Sequence, residues 1–145
     1  ALGPLAEVAR ARRLDDGRWE LVVIGAARIE VTAWLPDDPY PRATVVERPD
    51  PTPTDAELAL LDQVTADVLD VLGTLAARRG FRLPSIRLSD DPVRASYQLS
   101  GLAPVGPHDA YRLLVADTVG LRLALLRELV VDQAATIDGD DLPGD

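Results

Sequence analysis

A two-residue alternation of apolar and polar positions dominates the first third of the chain, the spacing of extended strands. Residues 5–12 (LAEVARAR) read as extended. LDDG at 14–17 reads as a hairpin turn, because Asp16-Gly17 suits positive φ. RWELVVI at 18–24 is the next strand pattern. Trp19, Leu21 and Val23 share one face, while Val22 and Ile24 lie on the other with Glu20. Both faces are largely apolar, which predicts a strand covered on both sides. Gly25 is expected to permit a second tight turn. RIEVTAW at 28–34 then predicts another strand, with Ile29, Val31 and Ala33 alternating against Arg28, Glu30 and Thr32. The segment that follows is rich in proline and flanks one short strand, RATVVE. Pro49, Pro51 and Pro53 predict a stiff, extended connector.

At Thr54 the period changes from two to that of a helix. TDAE at 54–57 is a capping box, in which the Thr54 hydroxyl accepts from the third helical amide and Glu57 reaches back. Leu58, Leu61, Val64, Val68, Leu72 and Leu75 recur at helical spacing, and Gly80 after Arg78 and Arg79 is a stop, giving one helix of about 25 residues. A short helix follows, capped by Asp90 or Asp91 with Pro92 in its first turn and ended by Gly101. Another starts near Pro107, and a last one, capped by Asp117 or Thr118, runs over 119–135. Strands followed by helices predict an α+β fold with segregated layers.

Composition narrows the chemistry. All 15 positive charges are Arg, and Lys, Asn, Cys and Met are absent, a bias of the kind high-G+C bacterial genomes impose. Without Lys there is no Ser–Lys dyad, Schiff base or P-loop. Without Cys there is no thiol nucleophile or thiolate metal site. The net charge of −9 argues against wholesale nucleic-acid binding, which needs cations to displace counterions. No apolar run reaches the roughly 18 residues of a membrane helix. The start lacks a basic leader ahead of an apolar core, so the expected location is cytoplasmic.

Individual candidates are mostly explained without catalysis. His108, the only His, follows Pro107 at a helix start with no nucleophile beside it in sequence. DGDD at 138–141 lacks the spacing of a calcium loop. ARRGFR at 77–82 places Arg where a helix C-terminal dipole favours it. Ser85, Ser89, Ser96 and Ser100 read as caps and surface hydroxyls, since no base is available to them. Trp19 reads first as a packing residue. Trp34, beside Pro36 and Tyr40, also reads as packing, with an apolar recognition surface as the functional alternative.

The stretches AEVARARRLDDGRWELVVIGAARIEV, DPYPRATVVE, DPVRASYQLSGL and HDAYRLLVADTVGLRLALLREL, in that order, resemble the substrate-binding (N-terminal) domain of the Lon protease family, over about 6–133. Asp16-Gly17-Arg18 resembles the family's hairpin, and Gly25 with Arg28 its G-x-x-R step. Pro39-Tyr40 and Ala43 resemble its P-Y-x-x-A entry. Leu113-Leu114 and Arg122-Leu123 resemble its L-L … R-L helices. Tyr111 and Val115 depart from it, where Gln and an acidic residue are usual. The resemblance implies a partial PUA-like β-barrel of antiparallel strands followed by an α-helical bundle, as a stand-alone actinobacterial-type member found here as its C-terminal portion. It implies later barrel strands over 1–48, a connector over 49–53, the bundle over 54–137 and an acidic disordered tail over 138–145.

The same resemblance implies a non-catalytic module that needs no cofactor and recognises exposed apolar segments of unfolded or damaged polypeptides. Trp34, Tyr40 and Trp19 are the candidate peptide-binding residues. An RNA-binding PUA-like domain, or part of an ATP-dependent protease whose catalytic domains are absent, are the alternatives. An open sheet edge would favour a homo-oligomer.

Overall fold

The computed structural model describes residues 1–139. Its elements are β1 (Leu2–Arg13), β2 (Trp19–Leu35), β3 (Arg42–Glu47), α1 (Asp55–Arg78), α2 (Pro92–Leu102), α3 (Pro107–Val115) and α4 (Val119–Gly139). The chain divides into two compact units, Ala1–Pro49 and Asp50–Asp145. The architecture is α+β: an antiparallel three-stranded sheet and four helices.

The first hairpin forms as the sequence predicts. Gly17 has φ +84°, its amide donates to Leu14 O at 3.0 Å, and the Leu14 amide donates to Arg18 O at 2.8 Å. The second predicted turn does not exist. β2 runs unbroken through Gly25, which lies in a strand at a shift in register. Leu5 pairs with Ala27 and Ala6 with Gly25, so Ala26 is the extra residue of a bulge. A glycine in a strand interior has two readings, turn or bulge, and here alternating apolar residues on both sides carry the strand through.

The sheet is staggered. β1 pairs with residues 19–30 of β2, and β3 pairs with residues 29–35 on its opposite edge. β2 is thus central only over Ile29 and Glu30, with one edge unpaired within the sheet on either side of them. Arg28 is the one buried residue among the described residues of this unit, and its Nε donates to Arg48 O at 3.0 Å. The Arg48 amide donates back to Arg28 O at 2.8 Å, and the Arg48 guanidinium pairs with Glu30. That pairing holds the Glu30 carboxyl below the usual carboxylate range.

The helical unit has the core. Val64, Val68 and Val71 of α1 and Val119, Leu123, Leu126 and Val130 of α4 form facing stripes at three- and four-residue spacing, joined by Leu99 of α2 and Leu113 of α3. Leu61, Leu72 and Leu75 pack around this cluster. Leu58, in the predicted stripe, is exposed in the first turn of α1. α2 extends one residue past Gly101, with Asp91 as its N-cap. α4 runs beyond its predicted end and takes in Asp138 and Gly139. The rest of the predicted acidic tail, 140–145, lies outside the described residues.

Glu57 explains how the two long helices start together. Its Oε2 accepts from the Thr54 amide at 2.9 Å, closing the capping box, while its Oε1 accepts from the Gly120 amide at 2.7 Å. One carboxylate therefore caps α1 and α4 at once. The α1–α4 pair is parallel, because Arg127 Nε meets Asp67 Oδ2 at 3.3 Å further along both helices. Two N-terminal dipole ends side by side repel, and a shared anion offsets that repulsion. Donation from the Thr54 and Gly120 amides, with the Thr54 hydroxyl, holds the Glu57 carboxyl below its ordinary value. A Cβ on Gly120 would stand 2.6 Å from Glu57 Oε1, so a larger residue there must push the Glu57 side chain from its place.

Two results follow from this shared cap. Gly120→Ala should lower the midpoint of helix melting by circular dichroism, and an unchanged midpoint would remove the shared cap from the account. A group whose folded pKa is depressed stabilises above its unfolded value and loses that contribution as pH falls through the folded value. The stability difference between wild type and Glu57→Gln should therefore be full at pH 7 and shrink below about pH 4.

Candidate functional site

The sheet presents apolar side chains to solvent on both faces. Leu21 and Val23 on one face of β2, and Val22 and Ile24 on the other, are all exposed, as are Leu5 and Val8 of β1 and Val45 and Val46 of β3. The predicted cover on both sides of this strand is thus not found: no residue from 19 to 26 is buried. Scattered exposed leucines are ordinary, whereas this many exposed apolar side chains on one small sheet are not. Next to it runs the unpaired edge of β2, whose backbone groups are ready to pair with an added strand.

Trp19 is 61% exposed rather than packed, because its strand end pairs only with Arg13 at the hairpin mouth. Trp34 is 71% exposed and Tyr40 65% exposed, also outside any core. Trp34 pairs with Ala43 at the far end of β2, and Tyr40 lies in the loop that joins β2 to β3. The structure therefore brings Trp34 and Tyr40 to one end of the sheet. Trp19 stands at the other end, about 50 Å of strand away at roughly 3.3 Å per residue.

Sequence reasoning missed a polar cluster inside the helical unit. The Arg122 and Asp50 side chains, 0% and 1% exposed, form an ion pair with Nη2 2.7 Å from Oδ2. Arg122 also donates from Nε to Leu113 O at 3.1 Å, from Nη1 to Ser96 Oγ at 2.9 Å, and from Nη2 to Tyr97 OH at 2.7 Å and Ala116 O at 3.1 Å. Its guanidinium lies 3.6 Å from the Tyr97 ring centroid, and Tyr97 OH donates to Asp50 Oδ1 at 3.0 Å. Ser96, read from sequence as a cap or surface hydroxyl, is fully buried here. Arg cannot shed its proton, so only a satisfied, paired guanidinium can be buried this deeply. The cluster holds no nucleophile with a base. It fixes the chain entering α1 to the turn that joins α3 and α4.

His108 is exposed at the start of α3. A shallow apolar cleft of ≈ 250 Å³ between α2 and α3, lined by Tyr97, Leu113 and Leu114, has room for one side chain. No helix among the described residues is long and apolar enough to cross a membrane.

The family model of the ATP-dependent protease La (LON) substrate-binding domain matches residues 1–132. The chain belongs to this family. The family's domain is a substrate-binding module, apart from the catalytic parts of such proteases. A solved structure of the N-terminal domain of the Mycobacterium avium complex Lon protease is similar, with a TM-score of 0.70 and 23% identity. The match covers 90% of this chain and 70% of that one, and it carries the fold. A comparison with curated proteins returned no match.

Proposed function

We propose that this chain is a non-catalytic binding module that takes up exposed apolar segments of polypeptides on its sheet. The observation that carries this reading is the surface around Leu21–Ile24, apolar on both faces beside an unpaired strand edge, in a member of a substrate-binding family. An extended segment would add backbone hydrogen bonds along the edge and place alternate side chains on each face. The charge distribution supports a polypeptide ligand over nucleic acid. Ala1–Pro49 carries seven Arg against eight acidic residues, and the remainder eight Arg against sixteen. A sheet near neutrality favours apolar contact over counterion release.

Trp34 and Tyr40 form one contact region at the loop end, and Trp19 a separate one at the hairpin end. A bound segment shorter than about 14 residues cannot reach both at ~3.4 Å per residue. Titration calorimetry with an unfolded model protein tests the reading: heat of binding that an apolar peptide competes away is the expected result, and no heat at high micromolar concentration would count strongly against it. The same edge would also pair with a second copy, so concentration-dependent association is expected by light scattering. A monodisperse monomer that binds no apolar dye would contradict both proposals.

A further inference from the structure

The loop between α1 and α2 concentrates positive charge in an acidic protein. Between Asp70 and Asp90 the chain carries four Arg and no acidic residue, against a net charge of −9. The dipole of α1 accounts for Arg78 and Arg79 at its end, but that influence fades within the last turn. Arg82 and Arg87 lie beyond its reach. Arg79, Arg82 and Arg87 are all exposed, and none forms an ion pair among the described residues.

This loop is fixed at both ends. Gly80 has φ +76°, its amide donates to Ala77 O at 3.0 Å, and the Phe81 amide donates to Ala76 O at 3.1 Å. These are the two bonds of a Schellman cap. At the other end the Ser89 amide donates to Gln98 Oε1 of α2 at 2.8 Å. From Phe81 to Ser89 the chain has no helix, turn or bend. Pro84 contributes to that course, because the residue before a proline is held in extended conformations. No backbone group of residues 82–88 bonds to another described residue. Leu83, Ile86 and Leu88 are half-buried, while Arg82, Ser85 and Arg87 face solvent. Ile86, Arg87 and Leu88 form one wall of an open cleft of ≈ 310 Å³, and Gln98, Gly101 and Leu102 of α2 form the other.

We infer that segment 82–88 is a second binding surface, which docks an extended acidic peptide. The peptide lies along the segment as an added strand and bonds its unpaired backbone groups. Carboxylates of the peptide meet the Arg82 and Arg87 guanidinium groups, and an apolar side chain enters the cleft between Leu88 and Leu102. Charge complementarity selects an acidic peptide over a neutral one. A nucleic acid could match the arginines, but its phosphates would leave the apolar wall of the cleft bare and meet an acidic protein. The inference does not rest on the sheet surface around Leu21–Ile24, and it adds a preference for acidic segments that the sheet does not supply.

Amide chemical shifts of the full chain, titrated with a capped peptide of alternating Asp and Leu about eight residues long, test this. Salt of about 0.1 M screens acidic groups more than ~10 Å away but not charges in contact. Shifts should centre on residues 82–89 and 98–102, and a peptide of alternating Asn and Leu should bind about fivefold more weakly or worse. Arg82→Gln with Arg87→Gln should weaken the Asp peptide by a similar factor, since exposed pairs are individually weak but add. Gly101→Leu should weaken it too, because a Cβ there meets nothing within 4 Å and the longer side chain fills the cleft. Leu21→Asp with Val23→Asp should leave this affinity unchanged, which separates the loop from the sheet. Shifts centred elsewhere, equal affinity for the Asn peptide, or full affinity in both the arginine and the Gly101 variants overturns the inference. Tighter binding of single-stranded DNA at the same residues overturns it as well, by making the loop a phosphate site. Shifts at 82–89 that grow with protein concentration without peptide do the same, by placing a second copy there. Helix content by circular dichroism checks that each variant is folded.

Discussion

Asp50→Ala should destabilise the helical unit by about 3–5 kcal/mol, the usual cost of leaving one member of a buried ion pair without its partner. The guanidinium of Arg122 would stay enclosed among Ser96, Tyr97, Leu113 and Ala116 with no compensating charge. Arg122→Leu should be costly for the reciprocal reason, since the Asp50 carboxylate would remain in the same dry site. Both changes together should cost clearly less than the sum of the two, because neither charge is then stranded. The two units can be followed separately. Trp19 and Trp34 both lie in the sheet unit, so tryptophan fluorescence reports on it, and ellipticity at 222 nm reports on the helices. Urea unfolding followed by ellipticity is the measurement. A loss under 1 kcal/mol for Asp50→Ala, or strict additivity in the double variant, would mean that the pair is not the anchor the geometry describes.

Leu21→Asp together with Val23→Asp should weaken polypeptide binding by roughly tenfold or more. Each of these side chains offers on the order of 1.5 kcal/mol or more of apolar burial to a ligand, and about 1.4 kcal/mol is a factor of ten. Both residues are exposed, so helix content and the urea midpoint followed by ellipticity should stay near wild type. Calorimetry with the unfolded model protein reads the effect, and the same pair should reduce self-association in light scattering. Retained affinity in a folded double variant would move the binding surface away from this face of β2. Loss of affinity in Trp34→Ala with none in Trp19→Ala would place the ligand at the loop end of the sheet.

The long helices were legible in the sequence because their information is local. Thr54 and Glu57, three residues apart, announce the start of α1, Gly80 announces its end, and Asp91 and Pro92 announce α2. The hairpin at Gly17 was legible for the same reason. Gly25 was not, because the same residue serves a turn and a bulge, and only pairing with β1 decides between them. The sheet's exposure was also hidden, since an apolar strand pattern says that a surface is greasy and not that anything covers it. Asp50 and Arg122 are 72 positions apart, and Asp50 sits among prolines that read as a stiff, extended connector. One sign of the pair was available. Arg122 falls in the α4 stripe of Val119, Leu123, Leu126 and Val130, where a charge needs a partner from elsewhere in the fold.

The shared Glu57 carboxylate has a consequence for how the helices come into being. α1 can begin with its own capping box, from residues already neighbours along the chain. α4 takes an acceptor for its Gly120 amide from a residue 63 positions earlier. The second long helix therefore has its full set of end bonds only where the first lies beside it, so the start of α4 owes part of its stability to packing across the bundle and not to neighbouring sequence alone.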